Sequence, residues 1–159
     1  MKLSCDVIWK LQGKTLVTAE SCTGGGIGAA LTAVPGSSAV YKGGIISYTN
    51  EIKEKMLDVD GALLRDAGAV SAPVAEAMAA GARKALEADV AVSVTGLAGP
   101  GGDEYGNPVG TVYIGYSDAF RTRSKHYLFS GNREQVRKQA VEAALRIILQ
   151  EGEKGNETN

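Results

Sequence analysis

The chain has 159 residues, the size of one typical domain, and 44% of them are hydrophobic while 22% are charged. This balance excludes a disordered or collagen-like chain, and no apolar run reaches the ~20 residues of a membrane-spanning helix. Seventeen basic residues against eighteen acidic ones leave a net charge of −1, so the composition predicts binding to neither nucleic acid nor an anionic membrane.

Cysteine and histidine are scarce, since the chain has only Cys5, Cys22 and His126. These numbers give neither a disulfide framework nor a Cys/His zinc site, so we expect chemistry without a metal or another cofactor. The N-terminal segment 1–6 lacks the apolar run of a signal peptide, which favours a cytoplasmic protein. Glycine stands out instead, with 21 residues in clusters that indicate tight turns or close approach to a ligand.

The first part of the sequence predicts a helix, a strand and a second helix. Residues 3–12 carry apolar positions at helical spacing and meet Gly13, a typical C-terminal stop. Residues 15–19 are rich in β-formers and lead towards a run of three glycines. The small-residue segment 27–34 follows and ends at Pro35-Gly36, which completes a strand, a turn and a helix.

A second strand is predicted over residues 41–48. Gly43-Gly44 interrupts this β-favouring stretch and indicates a bulge or the close approach of another part of the chain. Asn50 is a typical N-cap, and the helix that it begins is expected to run through Lys53 and Leu57.

The middle of the sequence predicts a long helix followed by a buried strand. Ser71 is the expected cap, Pro73 fits the first turn, and the alanine-rich stretch continues to Leu86. Residues 89–95 are nearly all apolar or β-branched, as in a strand that is buried on both faces. This strand opens into the loop 96–102, which is too rich in glycine for regular structure.

The C-terminal part predicts two strands and a closing helix. Residues 109–116 and 121–129 are joined by a short connection, which implies an antiparallel pair. Residues 133–149 carry an apolar face at helical spacing. The whole pattern is that of one mixed α/β domain over residues 1–150, and the polar tail 151–159 is expected to fray.

The turn after the first strand is a candidate site. It places Ser21 between a strand end and a helix start, with free backbone N–H groups and the positive helix end beside it. Such a turn holds a nucleophile, a phosphate or an oxyanion, although a lone serine before a helix is also typical of a plain N-cap. Cys22 is a rival nucleophile, because a helix start lowers the pKa of a thiol, but no histidine is near it in the sequence. The segment matches neither a Walker P-loop nor a dinucleotide-binding fingerprint.

Lys53 and Tyr48 form a second candidate. With Asn50 as N-cap, Lys53 falls at the third helical position, where the helix macrodipole disfavours an ammonium group. The same field favours a neutral amine, which a lysine needs in order to act as general base for a serine hydroxyl. A solvated surface lysine and a packed strand tyrosine are the alternative interpretations.

The loop after the buried strand 89–95 is a third candidate. Thr95 adds a hydroxyl at the strand end, and the small residues of 96–102 leave many N–H groups available to an anion. A loop that simply needs several positive φ angles has the same composition. His126, in a predicted edge strand, is interpreted as a surface residue.

The sequence resembles the CinA C-terminal domain family in motifs that cover nearly the whole chain in family order. The matching stretches are residues 19–25 (AESCTGG), 41–44 (YKGG), 48–53 (YTNEIK), 68–71 (GAVS), 95–102 (TGLAGPGG), 108–112 (PVGTV) and 129–133 (FSGNR). The resemblance implies a three-layer α/β/α sandwich with a mixed sheet that includes the C-terminal antiparallel pair. It also implies a homodimer, as in many members.

Enzymatic members of this family are nicotinamide-nucleotide amidases. The resemblance therefore implies hydrolysis of the carboxamide of nicotinamide mononucleotide to nicotinic acid mononucleotide and ammonia, in pyridine nucleotide recycling. The expected partner is this small nucleotide, and not a nucleic acid or a membrane. Many members carry a further N-terminal domain, whose functions are not carried over. A nucleotide-binding module without catalysis and a competence-related interaction domain are the alternative functions.

The resemblance also implies roles for individual residues. Ser21 is the expected nucleophile, and Lys53 and Tyr48 activate it in a manner similar to serine β-lactamases. Thr95 is expected to line the pocket. The candidates for the oxyanion hole are the backbone N–H groups of Cys22, Thr23 and Gly24. The candidates for binding the ribose 5′-phosphate are Gly99, Gly101, Gly102 and Arg133.

Overall fold

The computed structural model describes the backbone of residues 1–157 and the side chains of residues 1–152. The described part of the chain forms six helices and five strands. In chain order they are α1 (Lys2–Lys10), β1 (Leu16–Glu20), α2 (Gly26–Thr32), β2 (Tyr41–Ile46), α3 (Asn50–Leu57), α4 (Gly61–Ala67), α5 (Ala72–Ala85), β3 (Val90–Gly96), β4 (Thr111–Ser117), β5 (Thr122–Leu128) and α6 (Arg133–Glu157). A short 3-10 helix, Ser37–Ala39, lies between α2 and β2.

The five strands form one mixed sheet in the order β2-β1-β3-β4-β5. β1 is parallel to both β2 and β3, whereas β3 and β4, and then β4 and β5, are antiparallel. Helices α1, α2 and α6 cover one face of the sheet, and α3, α4 and α5 cover the other. The expected three-layer α/β/α sandwich with a C-terminal antiparallel pair is thus confirmed.

The buried strands supply both hydrophobic cores. β1 is buried at every position, and its side chains alternate between the two faces of the sheet. Leu16 packs in the core under α1, α2 and α6, whereas Val17 and Ala19 pack in the core under α5. β3 divides in the same way, with Val92 on the first face and Ala91 on the second. Strands that are covered on both faces need continuous apolar runs, which is the pattern that the sequence shows.

The bulge predicted in the second strand is confirmed. Leu16 pairs with Tyr41 and Val17 with Gly43, so the residue between them on β2 is extra. A Cβ atom on Gly44 would collide with Thr18 Oγ1 and would lie 2.7 Å from the Tyr41 hydroxyl. Gly44 is therefore required for the close approach of β2 to β1.

One helix start differs from the prediction, and one helix was not predicted. The N-cap of α3 is Thr49, whose hydroxyl accepts a hydrogen bond from the Ile52 N–H at 3.4 Å, so Asn50 is the first helical residue and not the cap. The segment that forms α4 carried no predicted element. The Asp60 side chain caps that helix by accepting from the Ala62 N–H at 2.9 Å.

The last helix is longer than predicted. α6 continues to Glu157 instead of ending at residue 149. Glu151 is buried, and its carboxylate lies 3.7 Å from Arg121 and 3.9 Å from Arg123, which ties this part of the expected tail to the sheet. Residues 158–159 of the tail lie outside the described residues. No helix in the described part of the chain is long and apolar enough to cross a membrane.

Candidate active site

A cavity of about 470 Å³ lies just past the carboxyl ends of β1, β2 and β3. Most of the site residues predicted from the sequence line it, and these are Ser21, Cys22, Tyr48, Lys53, Thr95, Gly99, Gly101 and Arg133. Three predicted residues are not among the lining residues, namely Thr23, Gly24 and Gly102. Asn50, Ala69 and Val70 also line the cavity, although the sequence analysis did not assign them to a site.

Ser21 and Lys53 are in contact at the floor of this cavity. Lys53 Nζ lies 3.0 Å from Ser21 Oγ, and both side chains are buried, with 1% of Lys53 and 7% of Ser21 exposed. Lys53 Nζ also donates hydrogen bonds to the main-chain carbonyls of Ser47, at 2.8 Å, and Tyr48, at 3.4 Å. The interpretation of Lys53 as a solvated surface residue is therefore wrong.

Burial lowers the pKa of Lys53 from 10.5 to about 8, and the neighbouring Cys22 opposes this shift. A lowered pKa was expected from the helix dipole, with Lys53 at the third helical position. Because Thr49 is the cap, Lys53 occupies the fourth position, and the physical cause is loss of water around the ammonium group. With this pKa, roughly a tenth of Lys53 is neutral at pH 7, and the neutral amine is a base.

The turn that carries Ser21 differs from the expected anion site. Helix α2 begins at Gly26, and its N-cap is Gly25, so Ser21 is not an N-cap. The first N–H groups of α2 are also not free, because the buried Glu20 carboxylate accepts hydrogen bonds from Ile27 N–H at 2.8 Å and Gly28 N–H at 3.0 Å. The positive end of α2 is thus neutralised by a side chain of the protein.

Thr23 and Gly24 shape this turn. The Thr23 hydroxyl donates to Glu20 Oε1 at 2.7 Å, and the Gly24 N–H donates to the Ser21 carbonyl at 3.1 Å. Arg137, on α6, donates to the Cys22 carbonyl at 3.0 Å and to the Thr23 carbonyl at 3.2 Å. Arg137 was not predicted as a site residue, although it lies one helical turn after Arg133, the last residue of the matching stretch 129–133.

Cys22 is not an activated thiol. Burial raises its pKa from 9.0 to about 11, despite the opposing effects of its own backbone, Lys53 and Arg137. The expected lowering by a helix start fails because α2 begins four residues further on. Since only the thiolate is a strong nucleophile, Cys22 is the weaker rival of Ser21.

Tyr48 and Arg133 meet at the mouth of the cavity. Tyr48 is 58% exposed, and its hydroxyl accepts a hydrogen bond from Arg133 Nη2 at 3.1 Å. It is the Tyr48 main-chain carbonyl that faces Ser21, with Ser21 Oγ 3.5 Å away. Arg133 Nη1 donates to the Gly99 carbonyl at 2.8 Å, so one guanidinium group links the loop to Tyr48.

The wall formed by Ala69 and Val70 is held by one side chain from β3 and one from the loop after it. The Thr95 hydroxyl donates to the Ala69 carbonyl at 2.8 Å, and Asn107 Nδ2 donates to the Val70 carbonyl at 3.3 Å. Gly102 lies in the same loop, is exposed and does not line the cavity. His126, in the edge strand β5, is exposed and stacks on Tyr113 of β4. This confirms its interpretation as a surface residue.

Known proteins are similar to this chain in sequence and in fold. The model of the CinA C-terminal domain matches residues 2–151. A CinA-like protein of Parasynechococcus marenigrum is 58% identical over 105 residues, which are 66% of this chain and 25% of that protein. The nicotinamide-nucleotide amidohydrolase PncC of Pseudomonas putida is 49% identical over 137 residues, which are 86% of each chain. The chain thus spans a quarter of the first relative but most of the second.

Solved structures of similar proteins have the same fold as this chain. The competence damage-inducible protein A of Klebsiella pneumoniae superposes with a TM-score of 0.90 at 37% identity, with 92% of each chain covered. A competence or damage-inducible protein of Enterobacter asburiae gives 0.92 at 33% identity, with 95% of this chain and 96% of that chain covered. A family match over residues 2–151, supported by these relatives, shows that the chain belongs to the CinA C-terminal domain family.

Proposed function

We propose that this protein is an amidohydrolase that converts nicotinamide mononucleotide to nicotinic acid mononucleotide and ammonia, in pyridine nucleotide recycling. The observation that carries the proposal is the buried contact of 3.0 Å between Lys53 Nζ and Ser21 Oγ at the floor of an open cavity. The substrate is suggested by the 49% identity to the nicotinamide-nucleotide amidohydrolase of Pseudomonas putida over most of both chains.

The surroundings of Lys53 suit a general base. A neutral amine has two N–H donors and one lone pair. In the structure Lys53 Nζ donates to Ser21 Oγ and to the carbonyls of Ser47 and Tyr48, as an ammonium group does. In the neutral amine the two carbonyls keep the two hydrogens, and the lone pair then accepts the hydroxyl hydrogen of Ser21. Lys53 thus takes the proton as Ser21 Oγ attacks, and the ammonium group that results keeps the same two carbonyl acceptors.

The reaction then follows acyl transfer. Ser21 Oγ bonds to the carboxamide carbon, and Lys53 passes the proton to the amide nitrogen, so the C–N bond breaks and ammonia leaves. A water molecule next attacks the acyl-enzyme, with Lys53 again as base, and releases the acid and the free serine. The N–H groups of Cys22 and Thr23 are our candidates for the oxyanion hole, because the Gly24 N–H donates to the Ser21 carbonyl.

Arg133 is proposed to bind the 5′-phosphate at the mouth of the cavity. It is the cation with the most direct access there, because Lys53 is buried at the floor. Gly99, whose carbonyl accepts from Arg133, and Gly101 also line the cavity, and the lack of a side chain lets main-chain groups approach a phosphate closely. The Tyr48 hydroxyl, bonded to Arg133, is proposed to orient that guanidinium group. A share of Tyr48 in activating Ser21 stays a prediction from the family resemblance, as do the homodimer and the cytoplasmic location.

The decisive experiment incubates the purified protein with nicotinamide mononucleotide in EDTA and follows ammonia and the acid product, with Ser21→Ala in parallel. We expect product from the wild type and none above background from the variant, because the covalent route needs the Ser21 oxygen. If the wild type makes no product while the nucleotide still raises its melting temperature, the protein is a binding module and the amidase proposal is wrong.

A further inference from the structure

Arg137 joins α6 to the turn that carries the nucleophile. Its guanidinium group donates to two successive carbonyls, those of Cys22 and Thr23, and it is not among the lining residues of the cavity. We propose that Arg137 is a positioning residue that acts through the backbone of this turn to align Ser21 with Lys53. The inference rests on the function proposed for Ser21 and assigns a role to a residue outside the cavity.

The first hydrogen bond holds the direction of the Cys22–Thr23 peptide group, and the second, together with the Gly26 N–H, which donates to the Thr23 carbonyl at 3.0 Å, holds that of the Thr23–Gly24 peptide group. In a trans peptide the carbonyl and the following N–H point in opposite directions. With the carbonyls of Cys22 and Thr23 turned towards Arg137, the N–H groups of Thr23 and Gly24 point away from it. A positive charge at these carbonyls also polarises the peptide groups and strengthens their N–H donors, including that of Thr23 in the proposed oxyanion hole.

The glycines of the turn allow α6 to come this close. Gly24 and Gly25 have φ angles of +58° and +103°. A Cβ atom on Gly24 would lie 3.6 Å from Arg137 Nη2, and one on Gly26 would lie 3.0 Å from Val141 Cγ2. Val141 follows Arg137 by one helical turn, so the same side of α6 lies against Gly24 and Gly26, whereas Gly25 faces Ile46. Close contact with α6 thus accounts for Gly26, and the positive φ angles account for Gly24 and Gly25, three glycines that were related to an anion on the sequence alone.

Glu20 holds the turn from another direction. Its carboxylate accepts from the Thr23 hydroxyl at 2.7 Å and from the Ile27 N–H at 2.8 Å. Thr23 is therefore attached to Glu20 through its side chain and to Arg137 through its carbonyl. The main chain of the turn is also held by two backbone hydrogen bonds, from the Gly24 N–H to the Ser21 carbonyl and from the Gly26 N–H to the Thr23 carbonyl. The contribution specific to Arg137 is therefore the bond to the carbonyl of Cys22, the residue next to Ser21. A misplacement of ~1 Å at a reacting atom costs about 100-fold in rate.

The test measures the reactivity of Ser21 without the nucleotide. A fluorophosphonate probe reacts when Ser21 Oγ bonds to phosphorus, the P–F bond breaks, fluoride leaves and the hydroxyl proton passes to Lys53. Labelling is followed by intact-protein mass in the wild type, Arg137→Ala and Arg137→Lys, and Lys138→Ala is the control on the neighbouring exposed position of α6. Alanine is a good helix former, so the substitution keeps α6 intact.

We expect Arg137→Ala to be labelled about 10- to 100-fold more slowly than the wild type, at an unchanged melting temperature. Guanidinium chloride at a non-denaturing concentration restores the rate, because the Arg137 position is exposed and the ion can enter it. Arg137→Lys stays slow, since one ammonium group lacks the planar fork that spans two carbonyls. In turnover of the nucleotide, the same variants lower kcat and leave KM near its wild-type value.

Labelling of Arg137→Ala at the wild-type rate would overturn the inference. Slow labelling with a lower melting temperature and no rescue by guanidinium would also overturn it, because Arg137 would then be only structural. A wild type that is labelled at Ser21 but does not hydrolyse nicotinamide mononucleotide contradicts the proposed substrate and leaves the alignment role of Arg137 supported by the labelling rates.

Discussion

The guanidinium group of Arg133 donates a hydrogen bond to the Tyr48 hydroxyl at 3.1 Å across the mouth of the cavity, from a position 85 residues further along the chain. The Tyr48 phenol therefore orients the guanidinium group of Arg133. The same hydrogen bond explains why the exposed Tyr48 side chain is turned towards α6 while its main-chain carbonyl faces Lys53.

Tyr48→Phe removes this hydrogen bond and keeps the ring. We expect KM for nicotinamide mononucleotide to rise about three- to tenfold, which corresponds to the loss of one hydrogen bond, while kcat stays near the wild-type value. Steady-state kinetics measure both, and Tyr113→Phe, remote from the cavity, is the matched control. A fall in kcat at constant KM would instead give the Tyr48 hydroxyl a part in proton transfer.

The pH dependence of the reaction should report on Lys53. Only the neutral amine accepts the Ser21 proton, and the pKa of Lys53 is lowered to about 8. We therefore expect kcat/KM to rise about tenfold per pH unit below that pKa and to level off above it, since kcat/KM follows groups of the free enzyme. Lys53→Arg, which cannot lose its proton, should show no such rise. A wild-type profile that is flat from about pH 6 to 9 would exclude Lys53 as the base.

The two cysteines should differ in reactivity. With a pKa of about 11, the Cys22 thiol is ionised to about one part in a thousand at pH 8, and it is also buried. We expect iodoacetamide to modify the exposed Cys5 first and to leave Cys22 largely unmodified, as measured by peptide mass spectrometry. Rapid alkylation of Cys22 with parallel loss of activity would restore it as the candidate nucleophile.

Gly81 should be essential for the position of α3, the helix that carries Lys53. Alanine normally stabilises a helix interior by about 1 kcal/mol relative to glycine. Here a Cβ atom on Gly81 would collide with the Leu57 carbonyl at the end of α3. We therefore expect Gly81→Ala to lower the free energy of unfolding by about 1–3 kcal/mol and to reduce activity.

The control for this prediction is Gly61→Ala at the start of α4. There the nearest atoms belong to the flexible end of the Glu54 side chain, which can move aside. Urea denaturation should show little change or a gain in stability for this variant. Equal stability of both variants would mean that α3 and α5 have room to separate.

Local patterns in the sequence were enough for the main elements of the fold. The apolar run before the glycine-rich loop predicted β3, and Gly43-Gly44 predicted the bulge that the structure shows in β2. Helix α4 was missed because it has only seven residues, with a single buried side chain, Leu64, so its periodicity is weak.

The sequence was enough to select three candidate residues, because each follows or faces a strand end, where α/β folds place their sites; these are Ser21, Lys53 and Thr95. The sequence alone does not give the distances between them. Ser21 and Lys53 are 32 residues apart, and the contact between them exists because β1 and β2 are adjacent in the sheet. No local sequence pattern points to Arg137, since its partners are main-chain carbonyls more than a hundred residues away along the chain.

The sequence by itself determined the order of helices and strands and the chemical groups at the strand ends, because both depend on neighbouring residues. The tertiary structure decided which of these groups can react. It buries Lys53, which makes its amine partly neutral, and it buries Cys22, which keeps its thiol protonated. A pKa depends on the water and charge around a group, and these are set by segments that are distant along the chain.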